Sequence, residues 1–219
     1  MVVLVGGYVQ GGLSLDVVSL LYELSRKERE KHIRKPEVFW VTDLVRCPLK
    51  RDYELRFPEL VESNVFTPTF ILGELIHKGL EALLKEVMPE EVEVEVEKEQ
   101  EVMLPNGSKV FLRGRADVIV KVGGEYLGIE IKTSRSDVRI PQEHHVDQSR
   151  IYNWLFNLKA SILLYVTPDR VTQYVVDGRA TLEEVVERIL SSKYPRYEWE
   201  CRYCAYSVLC PYKVVLRQT

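Results

Sequence analysis

The spacing of apolar residues divides the chain into stretches of strand and helix period. Glu91-Val-Glu-Val-Glu-Val-Glu97 alternates strictly, so Val92, Val94 and Val96 share the inward face of a strand that continues to Leu104. Pro105-Asn106-Gly107-Ser108 is a turn, and Val110 to Val122 returns antiparallel. Gly123-Gly124 separates that run from a second apolar run ending near Lys132, which reads as a tight β-hairpin and completes a three-strand meander. Thr69 to Val87 has helical spacing, with Phe70, Leu72, Leu75, Ile76, Leu80, Leu83 and Leu84 on its apolar side. Asp147 to Leu158 reads as another helix, buried through Ile151, Leu155 and Leu158. Ala160 to Thr167 and Val171 to Val176 are strands divided by Pro168-Asp169-Arg170. The capping box Thr181-Leu-Glu-Glu184 opens a helix reaching Ser192. Nearer the start, Ser14 is placed to cap a helix running to about Lys31, with Leu15, Val18, Leu21 and Tyr22 as its buried stripe and Pro36 as its stop. Thr42 or Asp43 opens a short helix, and Phe57 to Pro68 is irregular. This order predicts an α/β fold, a mixed sheet flanked by helices.

The hairpin carries the chemistry. With Gly123-Gly124 as the turn, Val122 opposes Glu125, and counting back sets Asp117 opposite Glu130. Opposed residues lie roughly 4.5–5.5 Å apart at Cβ, and like charges there repel. Two carboxylates in an apolar strand pair are explained by a divalent cation, because carboxylate oxygens suit magnesium and manganese. Lys132 shares the Glu130 face, where an ammonium orients a water or holds a phosphate. The plain alternative is a surface hairpin whose charges are solvated.

Composition narrows the partners. The net charge of -3 argues against a general basic coat for nucleic acid, so such a site must be a local positive patch. Arg46, Lys50 and Arg51 form a small basic cluster beside Cys47, and Arg150 is a candidate phosphate contact. The glutamates from Glu90 to Glu101 and the charged run from Arg26 to Lys35 read as solvated faces. No apolar run has the length of a membrane-spanning helix, and Met1 to Val5 lacks the basic start and long apolar core of a signal peptide. A cytoplasmic protein is expected.

The four cysteines are distributed as one and three: Cys47-Pro48, then Cys201-Arg-Tyr-Cys204 followed by Cys210-Pro211. In a cytosolic chain this reads as a metal site rather than disulfides. Zinc and iron–sulfur both accept four thiolates. A single Cys-x-x-Cys knuckle, with a Cys-Pro and a remote cysteine, points to an iron–sulfur cluster over zinc.

Gly114-Arg115-Ala116-Asp117 followed by Glu130-Ile131-Lys132 resembles the two signature motifs of the PD-(D/E)xK nuclease superfamily in its RecB-like branch, with Ala116 replacing the proline of the name. The resemblance implies a restriction-endonuclease-like core. It places a metal-binding His77 in the Gly73-x-x-x-His77 helix and a Gln148-x-x-x-Tyr152 pair that supports the lysine and contacts DNA. Asp117, Glu130, the Ile131 carbonyl and His77 would hold magnesium or manganese. One cysteine before the core and three after it resembles the CRISPR-associated RecB-like exonucleases. There Cys47, Cys201, Cys204 and Cys210 would ligate a 4Fe–4S cluster, with 2Fe–2S the lesser option, joining the N- and C-terminal regions. The implied layout is an N-terminal extension (1–36), a segment with the first cluster cysteine (37–68), the nuclease core (69–194) and a C-terminal iron–sulfur segment (195–219). The implied activity is 5′-to-3′ exonuclease cleavage of single-stranded DNA or DNA ends. It would trim captured DNA for CRISPR spacer acquisition beside the integrase complex. A RecB-like repair nuclease working with a helicase, a non-catalytic DNA-end binder and a zinc protein are the rivals.

Overall fold

The computed structural model describes residues 15–30, 34–62 and 67–215. In chain order the elements are α1 (Val17–Glu30), β1 (Val38–Trp40), α2 (Val41–Leu44), α3 (Pro48–Arg56), α4 (Glu59–Glu62), α5 (Pro68–Val87), β2 (Val92–Met103), β3 (Lys109–Val122), β4 (Glu125–Thr133), α6 (Glu143–Leu155), β5 (Ala160–Val166), β6 (Val171–Val176), α7 (Leu182–Leu190) and a 3-10 helix (Glu198–Tyr203). The six strands form one mixed sheet in the order β1-β3-β4-β5-β6, with β2 also paired to β3. The meander β2-β3-β4 is antiparallel, β4 and β5 run parallel around α6, and β6 returns antiparallel to β5. The hairpin register is the expected one: Val122 pairs with Glu125 and the ladder runs back to Val118 and Ile129.

β3 is longer than any partner on one of its edges. β2 covers the other edge along most of its length. On the open edge, β4 pairs with Val118 to Val122, and the parallel β1 pairs only with Phe111 to Arg113. Gly114 to Asp117 therefore face a gap between two neighbouring strands. β1 has too few residues to show alternation, and the sequence pattern did not reveal it. Opposite the gap, the β2 ladder skips Glu95, whose φ of 52° is left-handed, an uncommon conformation for a residue with a side chain.

Helices cover both faces. On one, Ile76, Leu80 and Leu84 of α5 pack against Val92, Val118, Val120 and Ile131. On the other, Val41 and Leu44 of α2, Ile151, Tyr152 and Leu155 of α6, and Val185 of α7 enclose Leu112. Gly114 is required here: a Cβ would lie 2.7 Å from Leu155 Cδ2, 2.8 Å from Tyr152 Cε1 and 3.2 Å from Val41 Cγ2.

Several expectations change. Of its apolar residues α5 packs the half-buried 76/80/84 stripe on the sheet, while Phe70, Leu72, Leu75 and Leu83 are exposed, because the helix touches the sheet along one line. On α1, Leu15 and Val18 are exposed rather than buried, and Leu21 and Tyr22 are half-buried. Ser14 and Lys31 lie outside the described residues; Asp16 caps the helix instead, accepting from the Ser19 amide at 3.0 Å. Phe57 to Pro68 contains the short helix α4. α6 starts four residues earlier than Asp147 and stops at Leu155, where Asn157 turns left-handed at φ 57°; Leu158 is still buried. The basic cluster near Cys47 is internal: Arg46 pairs with Asp43 and Glu54, and Arg51 donates to the carbonyls of Pro36 and Val38 and lies over Phe39. Arg150 pairs with Glu184 at 2.9 Å and Asp147 at 3.7 Å. The capping box at Thr181 forms as expected, with Glu184 N donating to Thr181 Oγ1 and Thr181 N to Glu184 Oε2.

Gly114→Ala is expected to destabilise the fold by about 1–3 kcal/mol through overpacking, read as a lower denaturation midpoint. An unchanged midpoint would show that α6 can back away from the gap.

Candidate active site

The gap in the β3 edge opens onto a pocket of about 320 Å³ lined by Asp117, Glu130, Lys132, His77, Gln148 and Tyr152, with Arg115, Arg34, Trp40 and Thr42 completing the wall. β3 delivers Asp117, β4 delivers Glu130 and Lys132, α5 delivers His77 and α6 delivers Gln148 and Tyr152. Asp117 Oδ2 accepts from the Ile131 amide at 2.8 Å and faces His77 Nδ1 at 3.5 Å. Lys132 Nζ donates to Glu130 Oε1 at 2.7 Å and to Gln148 Oε1 at 2.9 Å. Gln148 Nε2 donates to the same Glu130 oxygen at 2.8 Å. Tyr152 donates to the Arg115 carbonyl at 3.0 Å, satisfying one of the backbone groups in the gap.

The electrostatics follow from this crowding. Glu130 is buried, and desolvation, followed by the Asp117 charge, pushes its carboxyl up to about 7 against the opposing pull of Lys132. Burial draws His77 down, but its contact with Asp117 outweighs this and raises it. Burial holds the Tyr152 phenol well above its usual range, so it remains a neutral donor. Arg115, paired with Glu95 at 2.9 Å, lines the pocket and was not singled out from the sequence. Its place two residues before Asp117 on one strand face was the available signal.

Two carboxylates lining one pocket suit a hard divalent cation, with the His77 ring beside them. A buried glutamate beside a second carboxylate is the kind of pair a cation relieves. As they stand, no three His, Cys, Asp or Glu side chains among the described residues are drawn together closely enough to hold a metal ion.

A second cavity, of about 160 Å³, is lined by Cys47, Cys201, Cys204 and Cys210, with Lys50, Tyr53 and Trp199 in its wall. All four thiols are free. Burial raises Cys47 and Cys204, with smaller contributions from neighbouring thiols. The C-terminal segment reaches this site through the Cys47 amide, which donates to Glu200 Oε1 at 2.7 Å, and through Tyr206, stacked on Tyr53 at 5.4 Å. The donor set suits a thiolate-ligated metal group, although the thiols share a cavity without closing into a ligand set.

A model of the PD-(D/E)XK nuclease superfamily matches residues 84–211. The CRISPR-associated exonuclease Cas4 of Saccharolobus solfataricus (strain ATCC 35092 / DSM 1617 / JCM 11322 / P2) is 41% identical over 204 residues, spanning 90% of this chain and 99% of that protein. The chain belongs to the CRISPR-associated RecB-like nucleases. The crystal structure of SSO0001 resembles it with a TM-score of 0.85 at 38% identity, covering 94% of this chain and 100% of that one. The superfamily match takes in the motifs from Asp117 to Tyr152 and the last three cysteines, but His77 and Cys47 lie outside it. For a CRISPR-associated nuclease of this superfamily, the pocket at the β3 gap is the candidate catalytic centre. No helix among the described residues is long and apolar enough to cross a membrane.

Glu130 links this centre to stability. A glutamate in the unfolded chain titrates near roughly 4.3, and Glu130 in the folded chain near about 7. Between these values the folded state keeps a proton that the unfolded state has released. Metal-free stability therefore falls as pH rises through this window and is level above it. In EDTA, the stability of Glu130→Gln relative to wild type should grow between about pH 4 and 7, on the order of a few kcal/mol. Urea midpoints across that range check it, and a difference that does not change with pH would refute the buried-charge account.

Proposed function

We propose that the chain is a divalent-metal-dependent DNA exonuclease acting from the 5′ end on single-stranded DNA or DNA ends. It would trim captured DNA for CRISPR spacer acquisition beside the integrase complex, in the cytoplasm. The observation that carries this reading is the Asp117/Glu130 pair flanking one pocket with Lys132 hydrogen-bonded to Glu130. Similarity over nearly its whole length to a CRISPR-associated exonuclease supports the biological setting.

Asp117, Glu130, the Ile131 carbonyl and His77 would hold magnesium or manganese. Bound there, the ion would acidify a water and stabilise charge developing on the scissile phosphate. The chain's own groups do the positioning. The Ile131 amide fixes one Asp117 oxygen and leaves the other for the pocket. Gln148 holds Lys132 and Glu130 together, so the ammonium stays where it orients the attacking water or neutralises phosphate. Tyr152 ties α6 to the Arg115 carbonyl and keeps the gap in shape. The nucleophile in this reading is water rather than a side chain.

The four cysteines would hold an iron–sulfur cluster, 4Fe–4S before 2Fe–2S, that ties the C-terminal segment (195–219) to the segment carrying Cys47 (37–68) on either side of a nuclease core (69–194). Such a tie closes a long loop and stabilises the fold.

End-labelled oligonucleotides incubated with manganese or with EDTA test the activity. Cleavage should require the metal, and Glu130→Ala and Lys132→Ala should each lower the rate by about 10²–10³-fold or more. Wild-type rates in Glu130→Ala would remove the catalytic assignment. Anaerobically purified protein should contain iron and sulfide and show the visible thiolate-to-iron band, and Cys204→Ser should lose both and melt at a lower temperature. Colourless protein with stoichiometric zinc would replace the cluster with a zinc site.

A further inference from the structure

An aromatic ladder runs from the sheet beside the nuclease pocket to Trp199 in the wall of the cysteine cavity, and neither assignment gives its rings a role. It starts at Tyr165 in β5, whose hydroxyl meets His145 Nδ1 at 2.7 Å. His145 lies 4.0 Å from His144, ring centroid to centroid, and His144 lies 5.0 Å from Trp199 and 5.7 Å from Tyr197. Tyr197 and Trp199 are near-parallel, 18° apart at 6.0 Å. Trp199 ends the ladder with 42% of its surface exposed. The inner end is close to the nuclease pocket, since Tyr165 is the β5 partner of Lys132 in the β4–β5 ladder, and burial keeps both histidines neutral.

The surrounding segment has a composition different from the rest of the chain. Residues 193–213 carry Lys193, Arg202 and Lys213 on the surface, with Arg196 turned inward onto the Arg46 carbonyl, against Glu198 and Glu200, in a protein of net charge -3. Glu200 is occupied by the amides of Cys47 and Tyr197, and Glu198 and Glu143 are the exposed acids beside the rings. Tyr203, 72% exposed, has Arg202 5.8 Å from its ring. Exposed rings interleaved with basic side chains are the pattern that holds single-stranded nucleic acid, the rings stacking on bases and the cations tracking phosphates. A base paired in a duplex has no free face to offer such a ring.

We propose that Trp199, backed by His144 and Tyr197, is a base-stacking subsite that receives an unpaired nucleotide of single-stranded DNA next to the nuclease pocket. This rests on the nuclease reading and adds to it the place where the strand is gripped. Trp199 also walls the cysteine cavity, so its neighbours fix the ring's orientation before any strand arrives, and little order has to be created on binding.

The test is fluorescence anisotropy of a labelled oligothymidylate in EDTA, so that nothing is cut. Trp199→Leu keeps apolar bulk against the cavity but removes the aromatic face, whereas Trp199→Phe keeps a ring. The leucine variant should bind the single strand roughly 5- to 100-fold more weakly, and the phenylalanine variant should stay within about threefold of wild type. A blunt duplex of equal length should bind all three alike. Equal binding by the leucine and phenylalanine variants would overturn the proposal, as would a parallel loss on duplex DNA. Cutting of the same oligonucleotide by the wild type in manganese is scored separately. If it is cut and the leucine variant still binds normally, only the subsite fails. If it is not cut while binding depends on the ring, the subsite stands and the nuclease reading fails.

Discussion

One strand edge with two incomplete partners determines this molecule. β3 is held along most of its length by β2, but its other edge is shared between β1 near Leu112 and β4 beyond Val118. A continuous neighbour would have sealed the backbone of Gly114 to Asp117 into a ladder. Because neither partner reaches them, their side chains and carbonyls face a hollow that helices must line. α6 does so with Tyr152 against Gly114 and the Arg115 carbonyl, and α5 does so with His77 facing Asp117. The apolar stripes that dock these helices lie within one or two turns of the polar residues, so the packing that makes the core also sets the positions in the pocket.

The same closeness has an electrostatic cost. Two carboxylates share a desolvated space, and Glu130 is the one whose ionisation suffers. Lys132 and Gln148 compensate in part by converging on a single Glu130 oxygen. Conservative changes there would disturb three groups at once, because Gln148 is acceptor to the lysine and donor to the glutamate in one amide. Local strain next to catalytic centres is common, and the left-handed Glu95 of β2, opposite Asp117, fits that pattern.

What the sequence could reveal depended on whether the cause was local. The Gly123-Gly124 turn determines the register of every pair in its hairpin, so counting from it places Asp117 beside Glu130 without knowledge of the rest. Thr181 and Glu184 likewise cap through their own spacing. Long-range causes were not visible. β1 exists only because β3 offers it an edge. Leu15 and Val18 look like a core stripe, but nothing among the described residues covers them. Arg46 and Arg51 look like a basic surface until Asp43 and Glu54, brought round by α2 and α3, bury them as counter-ions. The pocket's Arg115 stood inside a quoted motif, but only the gap in β3 gives it an outlet.

The contacts at the last segment join residues far apart in sequence. Cys47 meets Glu200 across 153 positions, Arg196 meets the Arg46 carbonyl across 150, and Tyr206 meets the Phe57 carbonyl across 149. The polypeptide is thus buckled into a ring, and every loop between Phe57 and Arg196 lies on its circumference. A protease that severs one such loop opens the ring without releasing either half, since the buckle and the shared sheet still clasp both. Cutting between Leu190 and Arg196 instead detaches the buckle itself, so the roughly thirty residues after Leu190 are what hold the ring closed.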